Sequence, residues 1–415
     1  MFLKLATQSL ISRRGSVLLT VLAMTVSIFV LLGVEHIRHQ SKESFANTVS
    51  GVDLIVGART GSLNLLLYSV FRVGAATNNI DWDSYQEIAS DPKVKWAIPI
   101  SLGDSHKGYR VMGTTPDYFE YFSYGNKRKL EFASGRPFKS VFGVVLGSEV
   151  AAQLGYSLDD KLVLAHGIAA TSFSMHEETP FTVVGILKPT GTPVDQTLHV
   201  GLDGIEAIHV GWQQGVKMPG QTPDKDQLAQ MEFKPESITA FMLGLNSRMA
   251  MFGTQRAINN YSREPLMAIM PGVALSELWQ MMRILEDTLR LISILILISA
   301  LAGLSAMLLA SIRERNHEIQ LLRVIGAPPA FLFLLIELEA VLISALSILL
   351  GIGLLSLCIV AAQEFLAYQF GLHITAQVLS QSSLIMLALV VALTLVAAAV
   401  PSLNAYRNAR LSYRQ

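Results

Sequence analysis

The sequence has one cysteine, Cys358, in 415 residues. An intrachain disulfide is therefore excluded, as is a cysteine-based zinc site. Charge is scarce too: Asp, Glu, Lys and Arg make up 15% of the chain and cancel to a net charge of zero. With no dense Lys/Arg block either, nothing points to a nucleic-acid partner. No G-x-x-x-x-G-K-[ST] run is present, so the chain carries no phosphate loop and encodes no ATP chemistry of its own. The soluble part lacks a G-x-S-x-G elbow. The paired acids Asp81/Asp83 and Asp159/Asp160 stand in turn-like contexts, where carboxylates cap helices or stay solvated. We expect no catalytic site.

What the chain has in excess is apolar residue, 51% of the total, too much for one ordinary soluble domain. Uncharged runs of spanning length, about 20 residues, occur at 15–34, 291–312, 340–363 and 381–406. Four transmembrane helices follow. Lys4, Arg13 and Arg14 precede the first run as in a secretory signal, but the run is long and "GVEHIRHQ" offers no small-residue cleavage site, so a retained anchor is expected. Lys and Arg cluster at the N-terminus, at Arg313, Arg315 and Arg323, and at Arg407, Arg410 and Arg414, whereas 364–380 has none. By the positive-inside rule both termini and 313–329 are cytoplasmic, and 35–283 and 364–380 lie outside.

The expected fold class is a membrane α-helical protein of four transmembrane helices, with a large extracytoplasmic mixed α/β domain inserted between helices 1 and 2. The expected divisions are 1–34 (N-terminus and helix 1), 35–283 (the external domain with stalk helices), 284–312 (helix 2) and 313–329 (a cytoplasmic segment). Then come 330–363 (helix 3), 364–380 (a short outer loop), 381–406 (helix 4) and 407–415 (the tail). Without disulfides, the external domain must be held by its own core, which its length of about 250 residues permits. Its strand signals are "VDLIVGA", "YRVMGTT", "GVVLG", "KLVLA" and "FTVVGIL". In "GSEVAAQLGY" a short helix is expected to stop at Gly155. The polar, Gly- and Pro-rich segment 211–236 reads as an insertion or lobe boundary. Leu275, Leu278, Met282, Leu285 and Leu289 recur at helical spacing and predict a stalk that runs unbroken into helix 2.

The domain's histidines, His36, His39, His106, His166, His176, His199 and His209, show no H-x-x-x-H or H-E-x-x-H pair on a clear helix. Zinc needs three or four converging ligands, so solvated surface histidines and no metal site are expected. His176-Glu177-Glu178 is the tightest grouping of histidine with acids. The run "DLIVGARTGSLNLLLYSVF" sets Leu63, Leu65, Leu66 and Leu67 just after a Gly-rich turn. Those leucines are either a client-gripping loop at the membrane surface or ordinary core.

Between helices 2 and 3 stands "RERNHEIQLLRVIGAPP", 313–329. Ile319, Leu322 and Ile325 form an apolar stripe, and Arg313, Glu314, Asn316, Gln320 and Arg323 a wet face. Gly326 can end the helix, and Pro328-Pro329 prevents it from running straight into helix 3. The residues predict a short helix lying at the membrane surface, either resting on headgroups or meeting a partner. Two carboxylates, Glu337 and Glu339, follow at the start of helix 3. Either they snorkel to the interface, or one forms an ion pair with the surface helix or with Arg13 or Arg14.

These residues resemble the permease signature of the MacB/FtsX/LolCE superfamily, often called type VII ABC transporters, whose pattern reads loosely E-R-x-x-E-I-G-x-L-R-A-I-G-A with a Glu-Ala about thirteen residues beyond. Glu314, Arg315, Glu318, Ile319, Leu322, Arg323, Ile325, Gly326 and Ala327 match in register, and Glu339-Ala340 falls where the Glu-Ala should. Gln320 replaces the usual Gly and Val324 the usual Ala. "LATQSLISRRGSVLLTVLAMTVSIFVLL" is similar to the family's N-terminal anchor and "PSLNAYRNARLSYR" to its C-terminal signature. "GSEVAAQLGYSLDDKLVL" and "FTVVGILKPTGTPVDQTLHV" are similar to its MacB-like periplasmic core, with Asp159 standing where many relatives have a Gly.

The resemblance implies a permease subunit, not an enzyme, in the inner membrane. ATP and Mg would be bound by a separate dimer of ABC ATPase subunits. Arg313, Glu314, Arg315, Glu318, Ile319, Leu322, Arg323, Gly326 and Ala327 would be its docking residues, and Glu339 would transmit movement. A homodimer is implied, in contact with membrane lipids, as is mechanotransmission to the external domain. The client would be amphiphilic: a lipoprotein, a peptide or a small molecule, with a periplasmic adaptor in some relatives. Alternatives are an FtsX-like regulator of periplasmic enzymes and a component of a metal (zinc)-linked ABC system.

Overall fold

The computed structural model describes residues 2–48, 50–167, 178–210, 212–213, 216–217, 225–314, 328–370 and 377–411. The chain divides into a helical unit, Met1–Ser41, Met282–Ala367 and Ile374–Gln415, and a sheet unit, Lys42–Met281 with Tyr368–His373.

After a short α1 (Phe2–Ser12), the helical unit is built from α2 (Arg14–Thr48) and from three further long helices, which close the chain. Each of the four long helices holds a stretch long and apolar enough to cross a membrane: Arg14–Glu43, Pro271–Glu314, Ala330–Gln363 and Gln381–Asn404. With no water in a bilayer core, an apolar run satisfies its backbone only by closing its own i to i−4 bonds, so helix is the outcome. Met24, Ile28 and Leu32 of the first span meet Leu304, Leu308, Ala340, Ile343, Leu355, Val390 and Ala398 in one core. Hydroxyls tie the spans where small residues bring them close. Ser305 Oγ donates to the Ala397 carbonyl at 2.8 Å and Ser347 Oγ to the Val21 carbonyl at 3.3 Å. Gly351 permits close helix approach within the chain. A Cβ there would stand 3.0 Å from Ile28 Cγ2, whereas Gly303 and Gly353 face open space. In each span an 18-residue apolar stretch is only 22–33% buried, and Ile284, Leu349 and Val396 point outward. That apolar exterior needs lipid or another subunit against it.

The sheet unit holds eleven strands in one mixed sheet. They are β1 (Leu54–Ala58), β2 (Val94–His106), β3 (Tyr109–Thr114), β4 (Phe132–Gly135), β5 (Gly143–Leu146), β6 (Lys161–Leu162), β7 (Ala165–His166), β8 (Phe181–Leu187), β9 (Thr197–Gly201), β10 (Ala240–Leu245) and β11 (Leu266–Ile269). The order is β11-β1-β10-β2-β3-β9-β5-β8-β4, with β7 paired to β2 and β6 to β8. The β9–β3 and β8–β5 pairs are parallel and the rest antiparallel. Burial along β8 alternates, Phe181, Val183, Gly185 and Leu187 facing inward, as a pleated strand with one wet face requires.

Helices α3 (Ser62–Ser69), α4 (Trp82–Ala89), α5 (Asp117–Tyr121), α6 (Ser148–Leu154), α7 (Leu202–His209) and α8 (Met251–Asn259) alternate with the strands along the chain. As expected, α6 ends at Gly155, which takes φ +69° as a left-handed cap. Asp159 also adopts φ +69°, the conformation that a Gly at this position would take freely. The remaining long helices are α9 (Pro271–Glu314), α10 (Pro329–Phe370) and α11 (Gln381–Leu411). The stalk residues predicted at 275–289 belong to α9, which carries them and the second span without a break. Pro329 opens α10, where its missing N–H has no partner to lose.

Candidate functional site

Arg13 is the turn residue between α1 and α2, and its guanidinium is aimed at α10. Nη2 donates to Glu339 Oε2 at 3.1 Å and to Ser9 Oγ at 3.0 Å. The side chains are 10% and 3% exposed, so this is a buried ion pair rather than a snorkelling carboxylate. Removing one member of such a pair typically costs about 3–5 kcal/mol, because the other charge is left uncompensated. Glu337, two residues earlier, has both carboxylate oxygens sheltered.

A second charged group lies further along α2. Glu35, nearly fully buried, accepts from Arg38 Nε at 3.1 Å, and Arg290 of α9 stands 3.7 Å away. Arg38 also reaches Glu286 of α9 at 4.0 Å. From Arg13 to Glu35, at 1.5 Å per residue, the helix rises roughly 33 Å, close to the thickness of a bilayer's hydrocarbon core. The two charge clusters therefore bracket the span, one joining α2 to α10 and the other joining it to α9.

Of the expected docking residues, Arg313 and Glu314 form the exposed last turn of α9. Arg315, Glu318, Ile319, Leu322, Arg323, Gly326 and Ala327 lie outside the described residues, as do His176 and Glu177. The leucine run forms α3. Leu65 and Leu66 are fully buried core, while Leu63 and Leu67 are half-buried. Helix α3 sits so close to β1 that a Cβ on Gly57 would come within 2.5 Å of both Leu65 Cδ1 and the Tyr68 hydroxyl.

The histidines differ most from expectation. His199, on β9, is fully buried rather than solvated, stacked on Tyr118 at 5.2 Å and edge-on to Phe119 at 5.8 Å. Burial, then the nearby Arg72 cation, push it down to about 3, and the Val145 backbone offsets only part of this. Burial likewise raises Tyr118 to about 12. His106 is held between the Val163 carbonyl at 2.7 Å and the Tyr156 hydroxyl at 2.9 Å, and burial lowers it. His166 and His209, 43 residues apart in sequence, converge with Asp104. The hydrogen bond to Asp104 raises His166 above its ordinary value, against the pull of burial. Those three are the described side chains able to hold a metal. Sequence spacing did not disclose them, since the signal is a cross-strand pair and a helix end.

The chain matches the family model of a MacB-like periplasmic core domain over residues 17–235 and that of an FtsX-like permease C-terminal region over residues 290–409. Among solved structures it is similar to the periplasmic region of MacB from Actinobacillus actinomycetemcomitans, at 10% identity over 56% of this chain and 94% of that one, with a TM-score of 0.35. The extracellular domain of the ABC-type transporter YknZ from Gram-positive bacteria is matched at 11% identity, over 52% of this chain and 98% of that one, with a TM-score of 0.30. No curated protein matches at a significant level.

Proposed function

The chain belongs to the MacB/FtsX type of ABC transporter permease, and from that premise we propose that it converts ATP hydrolysis in a separate ATPase into movement of its periplasmic domain. The observation that carries this reading is the buried Arg13–Glu339 pair. It joins the first span to the third only ten residues beyond Pro329, where α10 leaves the segment 313–329. A push on that segment reaches α2 through a contact that is costly to break. Helices α2 and α9 then continue past the uncharged runs 15–34 and 291–312, as levers would, with the Glu35–Arg38–Glu286–Arg290 cluster coupling them.

In this account Arg313, Glu314, Arg315, Glu318, Ile319, Leu322, Arg323, Gly326 and Ala327 dock the ATPase, which supplies ATP and Mg. Two copies of the chain form the working unit, supported by the apolar exterior of the spans and the open faces of Gly303 and Gly353. The membrane is the inner one, and the client is amphiphilic: a lipoprotein, peptide or small molecule met at the half-buried Leu63 and Leu67 or at an adaptor. No polar path through the bilayer is required, in keeping with uncharged span centres.

The test is reconstitution of the chain with its ATPase in lipid nanodiscs, comparing wild type with Glu339→Gln. The variant is expected to bind the ATPase and permit hydrolysis while losing ATP-dependent change in tryptophan fluorescence. Trp82, Trp96, Trp212 and Trp279 all lie in the sheet unit, so with an ATPase and a scaffold protein free of tryptophan the signal reports the periplasmic domain. An unchanged ATP-dependent signal in Glu339→Gln would overturn the transmission role.

A further inference from the structure

We propose that Asp104, His166 and His209 form a divalent transition-metal site on the sheet unit, of the class that takes zinc. Asp104 and His166 are direct cross-strand partners in the β2–β7 ladder. Asp104 lies where the β2–β3 register shifts, between Leu102 and Ser105. Irregularities of this kind re-aim a side chain out of the regular pleat. His209 arrives from elsewhere in the chain as the last residue of α7.

The three ligand atoms form a compact triangle. Asp104 Oδ1 is 3.0 Å from His166 Nδ1, His166 Nδ1 is 3.1 Å from His209 Nε2, and His209 Nε2 is 3.8 Å from Asp104 Oδ1. A tetrahedral zinc ion with bonds of about 2.0–2.1 Å needs ligand atoms roughly 3.3–3.4 Å apart. The observed separations straddle that value, so small side-chain rotations suffice to seat an ion.

The tautomer of His209 is set by its neighbour. Its Nδ1 lies 2.7 Å from the Ile205 carbonyl, which can only accept, so Nδ1 carries the proton and Nε2 presents a lone pair toward the other two ligands. That is the backbone-anchored arrangement by which proteins orient a ligating histidine. Asp104, 3% exposed, forms the floor, while His166 and His209, at 44% and 30%, form the rim.

Two imidazoles and one carboxylate favour late divalent ions. The set lacks the thiolates that select copper(I) and has too few oxygens for calcium or magnesium. On binding, the ion takes the place of the proton between His166 and Asp104, and that proton leaves to solvent. The bound ion would clip β2, β7 and α7 together, fixing an edge of the sheet unit. This site does not depend on ATPase docking, and its ligand variants should still co-purify with the ATPase.

The experiment uses the full-length protein in detergent, carrying an affinity tag without histidine, stripped with a chelator and then equilibrated with zinc. We expect one zinc per chain, with X-ray absorption showing two imidazoles and a further oxygen ligand. His166→Gln and His209→Gln are each expected to weaken zinc binding at least tenfold, while His39→Gln leaves it unchanged. Circular dichroism checks that the variants fold. Should one fail, the ligand count in the wild-type absorption spectrum decides. No zinc bound by the wild type, a spectrum without two imidazoles, or binding undiminished in the folded ligand variants would each overturn the site.

Discussion

His199 should make the periplasmic domain acid-labile, and the size of the effect follows from its surroundings. The imidazole is fully buried between Tyr118 and Phe119, neither ring nitrogen has a well-formed hydrogen bond among the described residues, and Arg72 is near. Its folded pKa is about 3, against about 6.5 in an unfolded chain. The unfolded state therefore binds the extra proton. Stability is whole above pH about 6.5 and declines as pH falls toward the folded value. At about 1.4 kcal/mol per unit, His199 alone removes roughly 2 kcal/mol between pH 7 and pH 5, and roughly 5 kcal/mol once both forms are protonated. The assay is urea unfolding of the full-length protein in detergent, followed by tryptophan fluorescence, at pH 7 and pH 5. His199→Phe keeps a ring in the stack and cannot titrate, and His199→Leu serves if the larger ring overpacks. The pH-dependent loss in wild type should exceed that in the variant by about 2 kcal/mol. Equal losses in the two would refute the reasoning.

The ion pair and one glycine yield further predictions. Glu339→Ala should lower stability by about 3–5 kcal/mol by stranding Arg13, and Arg13→Met with Glu339→Met should recover most of it. Thermal unfolding midpoints of the single and double variants check this, and a double variant no better than either single would contradict it. Gly135 takes φ +76°, and a Cβ there would stand 2.2 Å from the Val184 carbonyl oxygen. Backbone cannot yield as a side-chain tip can, so Gly135→Ala should cost at least about 2 kcal/mol. Tryptophan-monitored urea midpoints read that loss, and a wild-type midpoint would contradict it.

Much of the fold was legible because bilayer physics leaves few options. Four uncharged runs become four long helices, whatever their detailed packing, and the leucine spacing after 275 continues into α9. The stop at Gly155 was readable for a similar reason, since a short amphipathic run followed by Gly has one common ending. Less readable were β2 and β10. "AFMLGL" is buried throughout, so it lacks the alternation that distinguishes a strand from a buried helix. Glu339 stood out through its register with the permease signature, yet only the structure chose Arg13 over Arg14 as its partner. His199 looked like a solvated histidine because nothing local in "TLHVG" reveals that β9 lies inside the sheet between β3 and β5. Asp104, His166 and His209 were illegible as a group. Their meeting depends on an irregular strand register, a two-residue strand pairing and the end of a helix more than a hundred residues from Asp104.

The central claim is that 313–329 docks a separate ATPase, and the most direct measurement is purification of the native complex in mild detergent, with protein identification by mass spectrometry. Wild type is compared with the double substitution Glu318→Ala and Arg323→Ala. An ATPase that co-purifies with wild type and is lost from the double variant is the predicted result. If no ATPase accompanies the wild type even after cross-linking, the segment rests on headgroups and the coupling account fails.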